Sequence, residues 1–278
     1  MNQLAIVIPA YKSQYFEETL ESIAKQTDKR FTLYIGDDSS PYDLKGIVDK
    51  FTDKIDIRYH RFPNNMGGKN LVGQWERCID LTEGEPWIWL FSDDDRMSDN
   101  AVESVLKTIM VVSENDLLHL NLNVTDQDGK ILRKIVYPPH VTNDEFYKGS
   151  LTGKLKSFVV EFIFSRKNFN QNGRFQKFDL AWGSDGITWL KLSKMNGITT
   201  VPEARIYWRY SGENITSKQD REILWRKYKA SVNNYIFYLR FSKGRNLPLL
   251  LRSFLGMTYG DIRAVIRSKS YKLTQNTR

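Results

Sequence analysis

Three consecutive carboxylates, Asp93-Asp94-Asp95, follow the apolar run Trp87-Ile88-Trp89-Leu90-Phe91 and Ser92. Aspartates this close repel one another by roughly 1 kcal/mol per pair even in water, and by more in a partly dry cleft. Something nearby must offset that charge. A hard divalent cation with oxygen ligands, Mg or Mn, is one candidate. A solvated turn whose aspartates cap the next helix is the other. Position separates them: an apolar run bounded by Glu85-Pro86 and the acids reads as a short strand buried on both faces, and ligands of open α/β sheets gather at the carboxyl ends of such strands.

The elements around this stretch alternate. Leu4–Ile8 reads as a strand ended by Pro9, followed by a helix over Tyr15–Thr27. Phe31–Gly36 is a second strand running into Asp37-Asp38-Ser39-Ser40, with a helix over Asp43–Phe51. Ile55–Phe62 alternates as a half-exposed strand, and a Pro63–Gly68 turn and a helix over Asn70–Leu81 follow. The central strand and a helix over Ala101–Val112 complete the pattern. Strands alternating with helices argue for a parallel sheet with right-handed crossovers. Beyond it, Leu117–Val124 and Ile131–Tyr137 flank Asp126-Gln127-Asp128-Gly129 and predict a hairpin. An aromatic-rich strand over Ser157–Ser165 and a polar loop over Lys167–Lys177 follow. A helix then runs from Asp185 to about Met195, and short strands are expected at Ile198–Val201 and Ala204–Trp208. Two long helices, Gln219–Phe241 and Leu247 to about Arg267, close the chain.

With 278 residues, 41% apolar and 27% charged, the chain has the composition of a globular protein. Its one cysteine, Cys78, excludes an internal disulfide, and no short-spaced Cys or His pair suggests zinc. The first residues lack a basic n-region, and no stretch approaches the length of a membrane span, so a cytoplasmic protein is expected. A net charge of +8 points to an anionic partner. Helix-turn-helix, zinc-finger and RNP-like signatures are absent, and an acidic centre would repel phosphate without a metal, so nucleic acid is not the expected partner.

Several motifs then fall into a familiar order. Val7-Ile8-Pro9-Ala10-Tyr11, Asp37-Asp38-Ser39-Ser40, Asn65-x-Gly67-Gly68, Ser92-Asp93-Asp94-Asp95 and Asp185 resemble the series found in family 2 glycosyltransferases, over about residues 1–212. The resemblance implies an inverting enzyme of GT-A fold: a Rossmann-like, mostly parallel central sheet flanked by helices, here with a C-terminal helical extension. It implies a donor half over residues 1–99, an acceptor half over 100–212 and a basic helical tail over 213–278.

The same resemblance assigns roles. Tyr11 and Asp38 would hold the nucleotide base, one as a stacking face and the other as an acceptor for a ring N–H or amine. Asp37 shares that turn, and one of the two aspartates would cap it instead. Pro9, Gly67, Lys69, Asp93 and Arg209 complete the nucleotide-sugar set. The DXD motif aligns with Ser92-Asp93-Asp94, making Asp94 the ligand of a divalent cation, Mn or Mg. Asp93-x-Asp95 also satisfies the pattern, so Asp95 is a second ligand candidate. Asp185 matches the catalytic base that takes the acceptor hydroxyl's proton; its alternative is helix capping. In the family's Tyr-Arg-x-His element Arg209 matches, and Ser211 stands at the His position.

The implied activity is transfer of a sugar from a nucleotide-diphosphate donor to a hydroxyl of a glycan or lipid-linked acceptor, as in surface polysaccharide assembly. A nucleotidyltransferase is the rival enzyme, but Pro9-Ala10-Tyr11-Lys12-Ser13 lacks its Gly-rich phosphate loop; a catalytically degenerate relative is the other rival. The tail interleaves apolar residues with Arg240, Lys243, Arg245, Arg252, Arg263 and Arg267. It suits either an anionic membrane surface on the cytoplasmic side or a helical cap that packs on the core or pairs two copies.

Overall fold

A computed structural model describes residues 2–212 and 214–275. Its first half is built from strand β1 (Leu4–Ala10), helix α1 (Phe16–Ala24), β2 (Phe31–Asp37), α2 (Leu44–Val48), β3 (Ile57–Arg61), α3 (Leu71–Ile79) and β4 (Trp87–Leu90). Every pairing in the order β3-β2-β1-β4 is parallel, as the alternating pattern predicts. Leu4–Ile8, Phe31–Ile35 and Trp87–Leu90 are all buried, which explains why they read as unbroken apolar runs. Pro9 does not end β1. It pairs with Gly36 on one side, while the pairing with β4 stops at Val7, so its missing N–H leaves no ladder position empty.

The second half continues through β5 (Arg96–Met97), α4 (Ala101–Ile109), β6 (Leu117–Thr125), β7 (Ile131–Ile135), β8 (His140–Val141), α5 (Asn143–Thr152), β9 (Phe162–Ser165), α6 (Arg166–Gln171), α7 (Ser184–Leu192) and β10 (Ile198–Arg209). The ten-stranded sheet runs β3-β2-β1-β4-β9-β6-β10-β5, with β7 on β6 and β8 on β10. Strand β9 enters antiparallel between β4 and β6, so its first residues lie at the same sheet edge as the last residues of β4.

Four expectations need correction. The strand expected from Ser157 begins only at Phe162, because Phe158 N–H turns back to the Glu161 side chain at 2.8 Å. Much of the expected 167–177 loop is helix α6: the Ser165 hydroxyl caps it at Asn168 N–H, and Phe169 is buried beneath it. The two short strands after residue 198 are one, β10, interrupted by a bulge between Val201 and Arg205. Helix α5 was not anticipated, although Thr142-x-x-Glu145 forms a reciprocal capping box there.

Helices α8 (Arg221–Ser242) and α9 (Leu247–Gln275) form an antiparallel hairpin joined by left-handed Lys243, Gly244 and Asn246. Leu224, Ala230, Leu250 and Val265 are buried on its inner side, and Ser253 donates to the Leu151 carbonyl of α5. One face of the tail is therefore a cap on the core.

The position of the Asp37-Asp38 turn depends on α3 lying close to β2. A Cβ on Gly36 would collide with Cys78 Sγ and stand 3.0 Å from the Phe62 ring. Gly36→Ala should lower unfolding free energy by about 1–3 kcal/mol, the usual cost of overpacking a dense core. Urea denaturation measures this, and a loss below about 0.5 kcal/mol would mean that α3 can shift away freely.

Candidate active site

The acidic trio sits where β4 ends, and all three residues are buried, with Asp93 and Asp94 at 4% and Asp95 at 1% exposure. Burial makes each ionised form costly unless it is met by donors. The chain supplies them unevenly. Asp93 Oδ2 accepts the backbone N–H groups of Tyr11 (2.8 Å) and Lys12 (2.7 Å). The Lys12 ammonium pairs with Asp94 Oδ2 and lies 3.5 Å from Asp93 Oδ1. Burial works against that ammonium, but Asp93 and Asp94 outweigh it and hold its pKa above the ordinary lysine value. Burial pushes the Asp93 carboxyl up, with Lys12 opposing; Asp95 is driven further up by burial and by Asp94.

Asp95 points inward. Its Oδ1 accepts Arg209 N–H at 2.7 Å and its Oδ2 accepts the Ser92 hydroxyl at 2.6 Å. Asp94 is the more available carboxylate: Oδ1 takes the same hydroxyl at 3.0 Å, while Oδ2 faces the Lys12 ammonium with Ser211 Oγ at 3.5 Å. Among the described residues no group of three or more His, Cys, Asp or Glu is arranged to hold a metal. A hard cation would therefore find one carboxylate, Asp94, and would need its other oxygens from a diphosphate and water. That donor set is chemically suitable for Mg or Mn. The spot already attracts a cation, since Lys12 extends into it.

Arg209 is a bracket. Although only 2% exposed, its Nε donates to the Asp94 carbonyl at 3.1 Å, its Nη1 to the Gln127 carbonyl and its Nη2 to Glu18 at 2.6 Å, with the guanidinium carbon 3.9 Å from the Tyr15 ring centre. It ties α1, the acidic turn and the β6–β7 hairpin into one unit.

At the same carboxyl end of the ladder, after β2, Asp37 is fully buried and accepts from Ser40 N–H, the Tyr59 hydroxyl and Arg61. This shapes the turn and permits the left-handed Ser39. Asp38 accepts from Met66 N–H and Gly67 N–H, each at 2.7 Å, and pairs with Arg77, which also stacks on Phe62. Gly67 must lack a side chain there, since a Cβ would stand 2.7 Å from Asp38 Oδ2. Tyr11 is 41% exposed at this rim and Lys69 is exposed on the neighbouring turn, while Pro9 is half-buried beneath.

Asp185 lies in the first turn of α7, half-buried, after a stretch in which Leu180, Ala181 and Gly183 all have positive φ. Two non-glycine residues in that conformation mark a strained loop held by its surroundings. Helix α8 does the holding. Asn234 donates to the Trp182 carbonyl at 3.0 Å, the Trp182 ring N–H to Ser231 at 3.1 Å, and Arg226 to Asp179; Lys227 lies 4.8 Å over the Trp182 ring. Burial raises the Asp185 carboxyl to about 6, with the Gly186 N–H pulling it back.

Glu161 is a residue that the motif series passes over. It is fully buried immediately before β9, one oxygen accepts Phe158 N–H and the other has no hydrogen-bond partner. Burial drives its carboxyl well above the usual range, and both Asp185 and Asp95 add to the rise, which places Glu161 within electrostatic reach of each. Lys12 was likewise missed as a site residue. Nothing in its local sequence marks it; only the fold carries it across to the acids. A cavity of about 390 Å³ lined by His140, Asn143, Asn196 and Arg245 lies at the opposite sheet edge, away from this chemistry.

Arg209→Ala would leave the Asp94 and Gln127 carbonyls and Glu18 without their shared donor. A loss of about 2–4 kcal/mol in urea unfolding is expected, with no rescue by Arg209→Lys, because one ammonium cannot reach three partners. Normal stability in Arg209→Ala would show that the bracket is dispensable.

Comparison with known proteins agrees with this geometry. Residues 5–114 match the family described as Glycosyl transferase family 2. The GalNAc(5)-diNAcBac-PP-undecaprenol beta-1,3-glucosyltransferase of Campylobacter jejuni is 23% identical, over 99% of this chain and 79% of its own length. The putative teichuronic acid biosynthesis glycosyltransferase TuaG of Bacillus subtilis is also 23% identical, over 84% of this chain and 86% of its own. The crystal structure of S. aureus TarS 1-349 in complex with UDP-GlcNAc superposes with a TM-score of 0.60 at 19% identity, covering 95% of this chain and 82% of TarS 1-349. The parallel half with its acidic edge, and the strand order beyond it, are those of the GT-A fold, and residues 5–114 carry the likeness to family 2 glycosyltransferases.

Proposed function

We propose that this glycosyltransferase moves a sugar, with inversion, from a nucleotide-diphosphate donor to a hydroxyl of a lipid-linked glycan precursor, and that Asp185 is the base. The observation carrying this reading is the convergence of two kinds of carboxylate at one sheet edge. The buried trio at the end of β4 has its own cationic partner in Lys12, and Asp185, whose pKa is raised to about 6, stands at the mouth of α7. The first suits a diphosphate, the second a proton.

In this reading the acceptor hydroxyl attacks the anomeric carbon from the side opposite the nucleotide. Its proton passes to an Asp185 carboxylate oxygen, the bond from anomeric carbon to phosphate oxygen breaks, and the nucleoside diphosphate leaves with that electron pair. Tyr11 and Asp38 hold the base, with Asp37 shaping their turn and Pro9, Gly67 and Lys69 forming the neighbouring rim. Asp93, through Tyr11 and Lys12 N–H, sets the approach of the ribose and diphosphate. Arg209 acts behind them by fixing Asp94 and Asp95. Asp94 would hold a divalent cation, Mn or Mg, with Asp95 supporting it; the cation would neutralise charge on the departing diphosphate. Residues 1–99 are then the donor half and 100–212 the acceptor half. A lipid-linked acceptor is reached at the cytoplasmic face of a bilayer, and the basic tail is the segment whose composition suits that surface.

Calorimetric titration of UDP and GDP, with and without Mn, tests the donor side: one of the two should bind in a metal-dependent way, and Asp94→Ala should lose that binding. Failure of both nucleotides under every metal condition would overturn the reading. Asp185→Asn should keep donor binding while lowering kcat by about 100-fold or more.

Because the raised carboxyl must be ionised to act as base, kcat should climb with pH and level off above an apparent pKa near 6. A folded-state pKa above the unfolded one means that the neutral form is favoured by folding, a contribution present at low pH and lost as pH rises through about 6. Asp185→Asn should therefore melt no lower than the parent at pH 7–8. A pH profile flat from 5 to 8 would exclude Asp185 as the base.

A further inference from the structure

The inner face of the α8–α9 hairpin is spent on the core, but its outer face is open and ordered by type. On α9, Leu251, Leu255, Tyr259, Ile262 and Ile266 are all exposed, with Leu255 at 67%, Tyr259 at 68% and Ile266 at 61%. At about 100° per residue they fall within an arc of roughly 80° and extend for roughly 23 Å along the axis. Arg252, Arg263 and Arg267 each follow one of these apolar residues and are exposed too, so they form a second row beside the first. The turn between the helices adds exposed Lys243 and Arg245, with Arg240 one turn earlier.

Acidic residues are sparse along the hairpin. Between residues 223 and 260 the exposed charges are Lys229, Arg240, Lys243, Arg245 and Arg252, with no Asp or Glu, and Asp261 of α9 is half-buried. A protein partner of ordinary composition does not demand such a one-signed border. An apolar row edged by arginines is the pattern of a helix lying in an interface, with the apolar side at the acyl boundary and the guanidinium groups among phosphates. No helix among the described residues is long and apolar enough to cross a membrane, so the hairpin would lie on the surface.

We propose that the outer face of α8–α9 docks on an anionic lipid bilayer, the α9 apolar row entering the headgroup boundary and the three arginines engaging lipid phosphates. This deepens the reading above and rests on it only for the nature of the acceptor. Its structural consequence is an orientation: α8 also holds the strained loop before Asp185 through Ser231 and Asn234, so docking would set the acceptor side of the enzyme next to the lipid surface.

Co-sedimentation of the full chain with phosphatidylcholine vesicles, with and without phosphatidylglycerol, tests the proposal. The parent should partition onto the anionic vesicles, less so as salt rises, and only weakly onto neutral ones. Leu251→Glu/Leu255→Glu/Ile262→Glu should weaken partitioning by about tenfold or more, and Arg252→Gln/Arg263→Gln/Arg267→Gln should weaken it and flatten the salt dependence. Both variants should melt like the parent and bind nucleotide equally well, since these side chains face solvent.

Absence of partitioning by the parent would overturn the proposal. So would a parent dimer, seen by light scattering, that fails to bind vesicles and that the glutamate variant breaks, because a second copy would then cover the face. Vesicle binding without any sugar transfer would leave the docking surface standing and sink the enzymatic reading instead.

Discussion

Three buried aspartates in sequence form the constraint around which this structure is arranged. Their mutual repulsion and loss of hydration must be met locally, and besides the adjacent Ser92 hydroxyl the molecule brings donors from two distant segments: the backbone after β1 with the Lys12 ammonium, and the backbone of β10 at Arg209. The compensation is partial. Asp95 is closed off on both oxygens, while Asp94 has one oxygen facing only a flexible lysine and a more distant serine hydroxyl. A site that must accept a charged substrate needs such an asymmetry: enough internal neutralisation to fold and one position at which an external charge can take over. Lys12 supplies the internal neutralisation through its ammonium on Asp93 and Asp94.

The turns after β1 and β2 and the loop before Asp185 are held by different kinds of force. Between β1, β2, β3 and β4 the ladder is continuous and parallel, and the turns at their carboxyl ends inherit its precision. Asp37 and Asp38 add little freedom, because each has protein donors on both oxygens. The Asp185 loop depends on side chains. The loop before Asp185 has left-handed residues that no ladder stabilises, and it stays in place because Trp182 is gripped by Ser231 and Asn234.

That difference explains what could be read in advance. Parallel strands buried on both faces announce themselves as apolar runs, and the acids after them stand at ligand-binding positions by topology alone; both were legible in Trp87–Asp95. Helix α5 was also written locally, in Thr142 and Glu145. Residues that act through long-range contact were not legible. Lys12 lies more than eighty positions from the acids it neutralises. Glu161 looks like one polar residue in an aromatic run, and only the antiparallel entry of β9 brings it to the sheet edge where β4 ends. Helix α6 was misread as a loop because its Asn side chains suggest one; Asn168 in fact bonds inward to the Asn115 and Leu192 carbonyls.

Placing Asp185 after a loop clamped by the tail has a mechanical consequence. Asp185 keeps its raised pKa only while α7 and its loop stay packed, and that packing passes through α8 to the same hairpin whose outer face bears the leucine and arginine rows. The chain of contacts from surface to base is short: α9 against α8, α8 against Trp182, and Trp182 three residues from Asp185. Any force that settles the hairpin also settles Asp185, whereas the turns after β1 and β2 are anchored by the sheet. In the proposed reading the turns after β1 and β2 thus hold the donor site ready at all times, and the geometry of proton transfer is tied to the side on which the acceptor would arrive.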